Sequence, residues 1–176
     1  TLADIKAAYA ANTAGTISGL GNEAISIADL GTVVSASDVA DIEALTSGSV
    51  TVAISGTTAT ASSLNSLDAG STQAINAAGV TALTGAAADI NTAYASAGIS
   101  GLGNEAVTLT DTSLATSTLT TLDGNTSGTV NASTVTTLTG SAADITSTLG
   151  ATGITFGTTV GGTINDVSVS ASALNT

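Results

Sequence analysis

The chain has 176 residues, thirteen acids and a single base, Lys6, with no histidine, so its formal charge is −12. Only 8% of residues are charged and 2% aromatic, and Pro, Cys, Met and Trp are absent; ordinary domains carry roughly 25% charged residues. With no Arg and one Lys the chain has nothing to neutralise phosphates, which excludes nucleic acid as a partner and disfavours anionic membrane surfaces. Disulfides, thiolate chemistry and His or Cys metal sites are excluded as well. No apolar run is long enough to span a bilayer, so no membrane insertion is expected. At 43% hydrophobic residues the chain also departs from the composition of disordered segments.

In chain order, TLADIKAAYAAN reads as a helix rather than a signal peptide. The heptapeptide SGLGNEA follows at Ser18 to Ala24 and runs into the alternating segment AISIAD, ending at Asp29. VADIEAL, with Ser37 or Asp38 as its cap, reads as a second helix; LNSL, capped by Ser62 or Ser63, as a third. SGLGNEA recurs at Ser100 to Ala106, again followed by an alternating segment, AVTLTD. Beyond it LATSTLTTL, capped by Ser113, has helical spacing, as do Val135, Leu138, Ala142 and Ile145. Short β-type segments begin near Ile25, Val50, Ile75, Ile99, Val130 and Ile154. Their spacing is nearly even, except for a longer gap between Ile99 and Val130 that holds the second heptapeptide. Gly48, Gly70, Gly124 and Gly128 follow apolar runs, where a left-handed helix terminator is expected.

The repeat is explicit. Setting Leu64 on Leu119 lays Leu64 to Ile90 over Leu119 to Ile145 without a gap, and a different shift sets Ser18 of the first heptapeptide on Ser100 of the second. One strand and one helix in so short a unit cannot bury their own apolar faces, so neighbouring units must stack. The expected fold is α/β: a right-handed solenoid of about six strand-plus-helix coils of roughly 24 residues, spanning 1–176 as one repeat segment. The alternative is an all-β parallel β-helix, in which the Thr-rich runs TSTLTT and STVTTLT are strands. SASALNT, Ser170 to Thr176, looks like the opening of another helix, and Thr1 starts partway through a unit. A segment of a longer array, or a subunit stacking end to end, is therefore expected, with self-association or neighbouring repeats as partners.

The chemistry-bearing residues mostly read as structural. Asp89 and Asp144 recur at equivalent repeat positions, as do Glu23 and Glu105, which suits caps and turn ligands better than a catalytic carboxylate pair. A Ser–Lys arrangement needs Lys6, and no GK[ST] phosphate loop is present; no enzyme activity is expected. Calcium is the candidate ligand. Asp123-Gly-Asn125-Thr-Ser-Gly128 imitates the first six positions of an EF-hand loop, with Asp123 and Asn125 as ligands, although position twelve is Thr134.

In SGLGNEA the glycines call for positive φ or close backbone approach, Asn22 and Asn104 suit a turn, and Glu23 and Glu105 can bond turn amides. A docking loop is the functional alternative. Thr pairs such as Thr108/Thr110 and Thr118/Thr120 resemble the rows of ice-binding solenoids but do not recur in every unit. Asn125-Thr-Ser and Asn131-Ala-Ser fit the N-glycosylation triplet.

GLGNEAVTLTD, LTTLDGNTSGTVNAS and TVTTLTGSAADI, taken together, resemble the units of very large repetitive surface or secreted proteins of bacteria, marine cyanobacteria among them. The resemblance spans nearly the whole chain. It implies an adhesin, surface-layer or extracellular-fibre role and an extracellular or cell-surface location, the location that an acidic, Thr-rich, Lys-poor composition also suggests.

Overall fold

The computed structural model describes residues 2–29, 36–166 and 168. Among them are six helices and twelve strands: α1 (Leu2–Thr13), β1 (Ile25–Asp29), α2 (Ala36–Glu43), β2 (Val50–Ile54), β3 (Thr58–Thr60), α3 (Ala61–Gly70), β4 (Ile75–Asn76), β5 (Ala82–Gly85), α4 (Ala87–Ala95), β6 (Ile99–Ser100), β7 (Ala106–Leu109), β8 (Ser113–Ala115), α5 (Thr116–Asn125), β9 (Val130–Ala132), β10 (Thr137–Gly140), α6 (Ala142–Leu149), β11 (Ile154–Phe156) and β12 (Gly161–Ile164). The helix expected at Ser170 to Thr176 lies outside the described residues.

The fold is α/β, and every strand pair among the described residues is parallel. Parallel pairing follows from the connections, because each strand meets its partner only after the chain has crossed through a helix or turn. Three sheets form, with orders β1-β2-β4-β6, β3-β5-β7-β9-β11 and β8-β10-β12. The helices pack in sequence, α1 on α2 and so on to α5 on α6, in an unbroken row.

Register places like on like. Ile27, Val52, Ile75 and Ile99 form one inward column; Leu83, Val107, Val130 and Ile154 form another. All eight are buried. The alternate positions face outward, where Thr60, Thr84, Thr108, Asn131 and Thr155 line up across five strands. Adjacent rungs of such a ladder lie about 4.8 Å apart, so each apolar column is a continuous strip. Ile42, Leu64, Ile90, Leu119 and Leu122 from the helices close it from the other side. Small Ala and Gly bring helix and sheet close: a β-carbon at Gly140 would overlap the Thr116 side chain.

Several expectations need correcting. All six expected strand starts are strand starts, but a typical unit holds two strands before its helix, not one. The second strands are β3, β5, β10 and β12. Val135, Leu138, Ala142 and Ile145 therefore do not share a helix: Leu138 belongs to β10, and α6 opens at Ala142. Ser113 starts β8 rather than capping a helix. TSTLTT, a strand in the all-β alternative, opens α5; there Leu119 and Leu122 are buried, and Thr121 Oγ1 donates to the Ser117 carbonyl at 2.9 Å. Burial of the Leu stripe overrides threonine's β preference. Ile75 pairs with Ile99 and Val130 with Ile154, but Ile99 and Val130 are not neighbours: their sheets change between them, and Val130 pairs with Val107.

Caps also cross between units. The N-cap residue of α4, Ala86, supplies no side-chain cap, and the Ala87 amide donates instead to Asp111 Oδ2 at 2.7 Å. Asp166 does the same for Ala142 of α6, at 2.8 Å. Each carboxylate meets the positive end of a helix dipole. Asp144 is a cap residue as expected, exchanging bonds with Ser141 at 2.7 and 3.0 Å.

Leu138 is fully buried between neighbouring rungs, whereas Thr108 faces outward. Leu138→Ala is expected to cost about 2–5 kcal/mol in denaturant unfolding, and Thr108→Ala about 0.5 kcal/mol or less.

Candidate functional site

The two heptapeptides build the same turn, each held by a tyrosine from the preceding helix. Gly19 and Gly21 have φ of 95° and 140°, and Gly101 and Gly103 have 85° and 132°. These left-handed conformations are open to glycine at little cost. They curl the backbone so that the glutamate two residues on folds back onto the turn. Gly21 N–H donates to Glu23 Oε2 at 2.7 Å, and Gly103 N–H to Glu105 Oε2 at 2.9 Å. The same carboxylate oxygen also accepts a phenol: Tyr9 Oη donates to Glu23 Oε2 at 2.8 Å and Tyr94 Oη to Glu105 Oε2 at 2.9 Å. Glu105 is 0% exposed, the one fully buried carboxylate among the described residues.

A Thr-Ser-Gly triplet from the following unit completes each turn. Thr46 Oγ1 donates to the Glu23 carbonyl and Thr126 Oγ1 to the Glu105 carbonyl, both at 2.8 Å. Ser47 N–H reaches the Gly21 carbonyl at 2.7 Å, and Ser127 N–H the Gly103 carbonyl at 2.8 Å. Gly48 and Gly128 close the triplets by bonding back to the threonine hydroxyls at 2.9 and 3.0 Å. The sequence assigns Gly48 and Gly128 to left-handed helix ends, and this is corrected: neither has positive φ. They are glycine because a β-carbon there would overlap the Glu23 or Glu105 carbonyl. Gly70 and Gly124 lie within α3 and α5, also without positive φ.

The electrostatics follow from these donors. The Gly21 amide, and then the Tyr9 hydroxyl, hold the Glu23 carboxyl below the usual carboxylate range. Burial raises the Tyr94 phenol well above its ordinary value, and the Glu105 carboxylate reinforces the rise against the opposing Thr126 hydroxyl. At Tyr9 the Thr46 hydroxyl pulls the pKa down, but desolvation and the Glu23 carboxylate outweigh it, and the net shift is upward. Chemically each site is a hydrogen-bond cluster in which the tyrosine hydroxyl, the glycine amide and the threonine hydroxyl all satisfy acceptors of the same glutamate. That suits holding two units together.

Glu23 and Glu105 thus bond turn amides, as the sequence suggests. What sequence reading misses is the tyrosines. The signal is present: the chain has two tyrosines, and each sits in a DI-x-x-AYA helix that precedes a heptapeptide. Asp123 and Asn125, the calcium candidates, lie in the last turn of α5 rather than in a loop. Two residues apart on a helix, they do not face one side. The Asp123 carboxylate packs where a β-carbon of Gly153 would sit, and Asn125 Nδ2 donates to Asn91 Oδ1 at 3.0 Å. Among the described residues no group of three or more His, Cys, Asp or Glu could hold a metal ion. Lys6 bridges Asp38 and Asp41 at 3.1 and 2.7 Å. The described residues contain no helix long and apolar enough to cross a membrane. No family model, curated protein or solved structure matches this chain.

Two glycines of one hexapeptide should answer oppositely to the same change. Gly128→Ala forces the Glu105 turn open and is expected to lower the melting temperature. A β-carbon at Gly124 inside α5 meets nothing within 4 Å. Gly124→Ala is expected to stabilise by up to about 1 kcal/mol.

The pH dependence has a definite sign on both sides. A raised phenol pKa means that the folded state holds its proton more tightly, so the contribution is full below the ordinary value of about 10 and is lost as pH rises above it. The lowered Glu23 contributes above the ordinary carboxylate value and is lost as pH falls through its folded value. Denaturant titrations across the alkaline range are expected to show falling stability in the native protein and a flatter profile in Tyr9→Phe/Tyr94→Phe.

Proposed function

We propose that this chain is a structural repeat segment, a right-handed solenoid whose stacked units serve as an extracellular spacer, filament or coat. One observation carries the reading: strands pair with strands a near-constant distance further along the chain, from Ile25 with Val50 to Ile154 with Val130. A repeating offset of that kind is what winding about an axis produces. The near-universal right-handedness of parallel crossovers supplies the hand. The clusters at Glu23 and Glu105 fit the same role, since their bonding partners come from inside the chain and tie one unit to the next. The surface placement draws on composition and on the resemblance to bacterial surface proteins.

Winding makes a deletion test possible. Removing residues 58–81, one full period, joins Thr57 to Ala82 and brings equivalent strands into register. That variant is expected to keep a cooperative melt and a native-like circular dichroism spectrum. Removing residues 58–78, an odd number of residues short of a full period, is expected to abolish cooperative folding, because the odd shift exchanges inward and outward positions. Equal behaviour of the two deletions would contradict the winding. For location, an antibody raised against the folded protein is expected to label intact source cells or their extracellular material. Labelling only after lysis would contradict an extracellular role.

A further inference from the structure

We infer that the edge formed by Ile17, Ser18 and β1 is a docking site for strands β11 and β12 of a second copy of this chain, joining copies head to tail. The inference rests on the stacked-unit reading above and adds to it a partner and a register.

The observation is that one octapeptide, ISGLGNEA, occurs twice and is covered only once. In the second occurrence Ile99 and Ser100 form β6, seated on β4, and Ala106 opens β7, seated on β5. Ile99 is 8% exposed there. In the first occurrence Ile17, its equivalent, is 43% exposed. β1, the equivalent of β7, pairs among the described residues with β2 alone, whereas β7 is paired on both sides. The interior of the molecule therefore shows what covers this edge: two parallel strands whose starts, Ile75 and Ala82, lie seven residues apart.

The opposite end presents such a pair. β11 and β12 start at Ile154 and Gly161, also seven residues apart. Among the described residues each pairs on one side only, with β9 and β10. β12 is exposed along its length, and Ile164 is 38% exposed. An open parallel edge with an uncovered apolar residue invites strand addition.

Copying the internal register sets Ile154 opposite Ile17, Gly162 opposite Ile25, Thr163 opposite Ser26 and Ile164 opposite Ile27. The hydroxyls of Thr163 and Ser26 then lie on the outer face, and the isoleucines on the inner. The two edges differ, so the contact is heterologous and propagates instead of closing as a dimer.

The test uses residues 1–176 together. Sedimentation over a concentration series is expected to show mass growing beyond a dimer. Ile17→Lys and Ile164→Lys alter side chains exposed in the single copy, and each is expected to return the protein to monomer with an unchanged circular dichroism spectrum. Because the chain has no cysteine, a short thiol crosslinker on a mixture of Ser26→Cys and Thr163→Cys proteins reads the register directly. Crosslinked dimers are expected in the mixture and not in either variant alone. A protein that stays monomeric at its highest soluble concentration, or whose oligomers survive both lysine variants, overturns the docking. The stacked-unit reading survives that result if the full-period deletion still folds.

Discussion

The structure depends on the pairing of each strand with its counterpart one unit further along the chain. Inside one unit the backbone hydrogen bonds of so short a strand have no partner, and the apolar face has nothing to lie against. Both are satisfied only by the neighbouring unit, so ladder bonding and burial are set by the same register. A slip by a single position would turn Val107 outward and Thr108 inward. That coupling explains how a chain with so few large side chains keeps a packed interior: similar apolar shapes recur at each rung, and columns of Val, Ile and Leu fill the space. It also explains the charge pattern. Two helix starts borrow carboxylates from the next unit, Ala87 from Asp111 and Ala142 from Asp166, so part of the capping is also an interaction between units.

The heptapeptide modifies this pattern without breaking it. Strand starts along most units are seven residues apart, as from Ile75 to Ala82 and from Val130 to Thr137. The unit holding the second heptapeptide takes one more such step, so that β6, β7 and β8 precede α5. Two ordinary periods and one extra step account for the longer repeat that sets Leu64 on Leu119. The consequence is lateral: the first sheet ends at β6, the third begins at β8, and the middle sheet runs on through β7. The helix row continues across the step. A turn that redirects the sheet has to be rigid, and here the left-handed glycines, the buried Glu105, Tyr94 and the Thr126 triplet all fix it. Burying a carboxylate is costly unless its acceptors are used; the amide and phenol donors use them.

Much of this is legible in the residues. The first strand of each unit announces itself by branched apolar residues at even spacing, and SGLGNEA by its glycines. The second strands are not legible, because TAT and ALTG are too short for an alternating pattern to stand out. Threonine is ambiguous in the same way: it pairs as β10 in TLTG and winds as α5 in TSTLTT, and only burial of Leu119 and Leu122 decides between them. Gly48 and Gly128 look like helix terminators because the carbonyls they accommodate, those of Glu23 and Glu105, belong to the preceding unit. Tyr9 and Tyr94 read as helix residues for a similar reason: their partners are reached through a turn whose shape is not written locally.

Backbone nuclear Overhauser effects in the labelled protein probe the ladder itself. Parallel pairing predicts cross-strand amide and α-proton contacts between Leu83 and Val107, Val107 and Val130, and Leu138 and Gly162, with a matching offset from Ile27 to Val52. Strong α-proton to α-proton contacts of antiparallel pairs, or contacts between strands that are not one unit apart, would contradict the account.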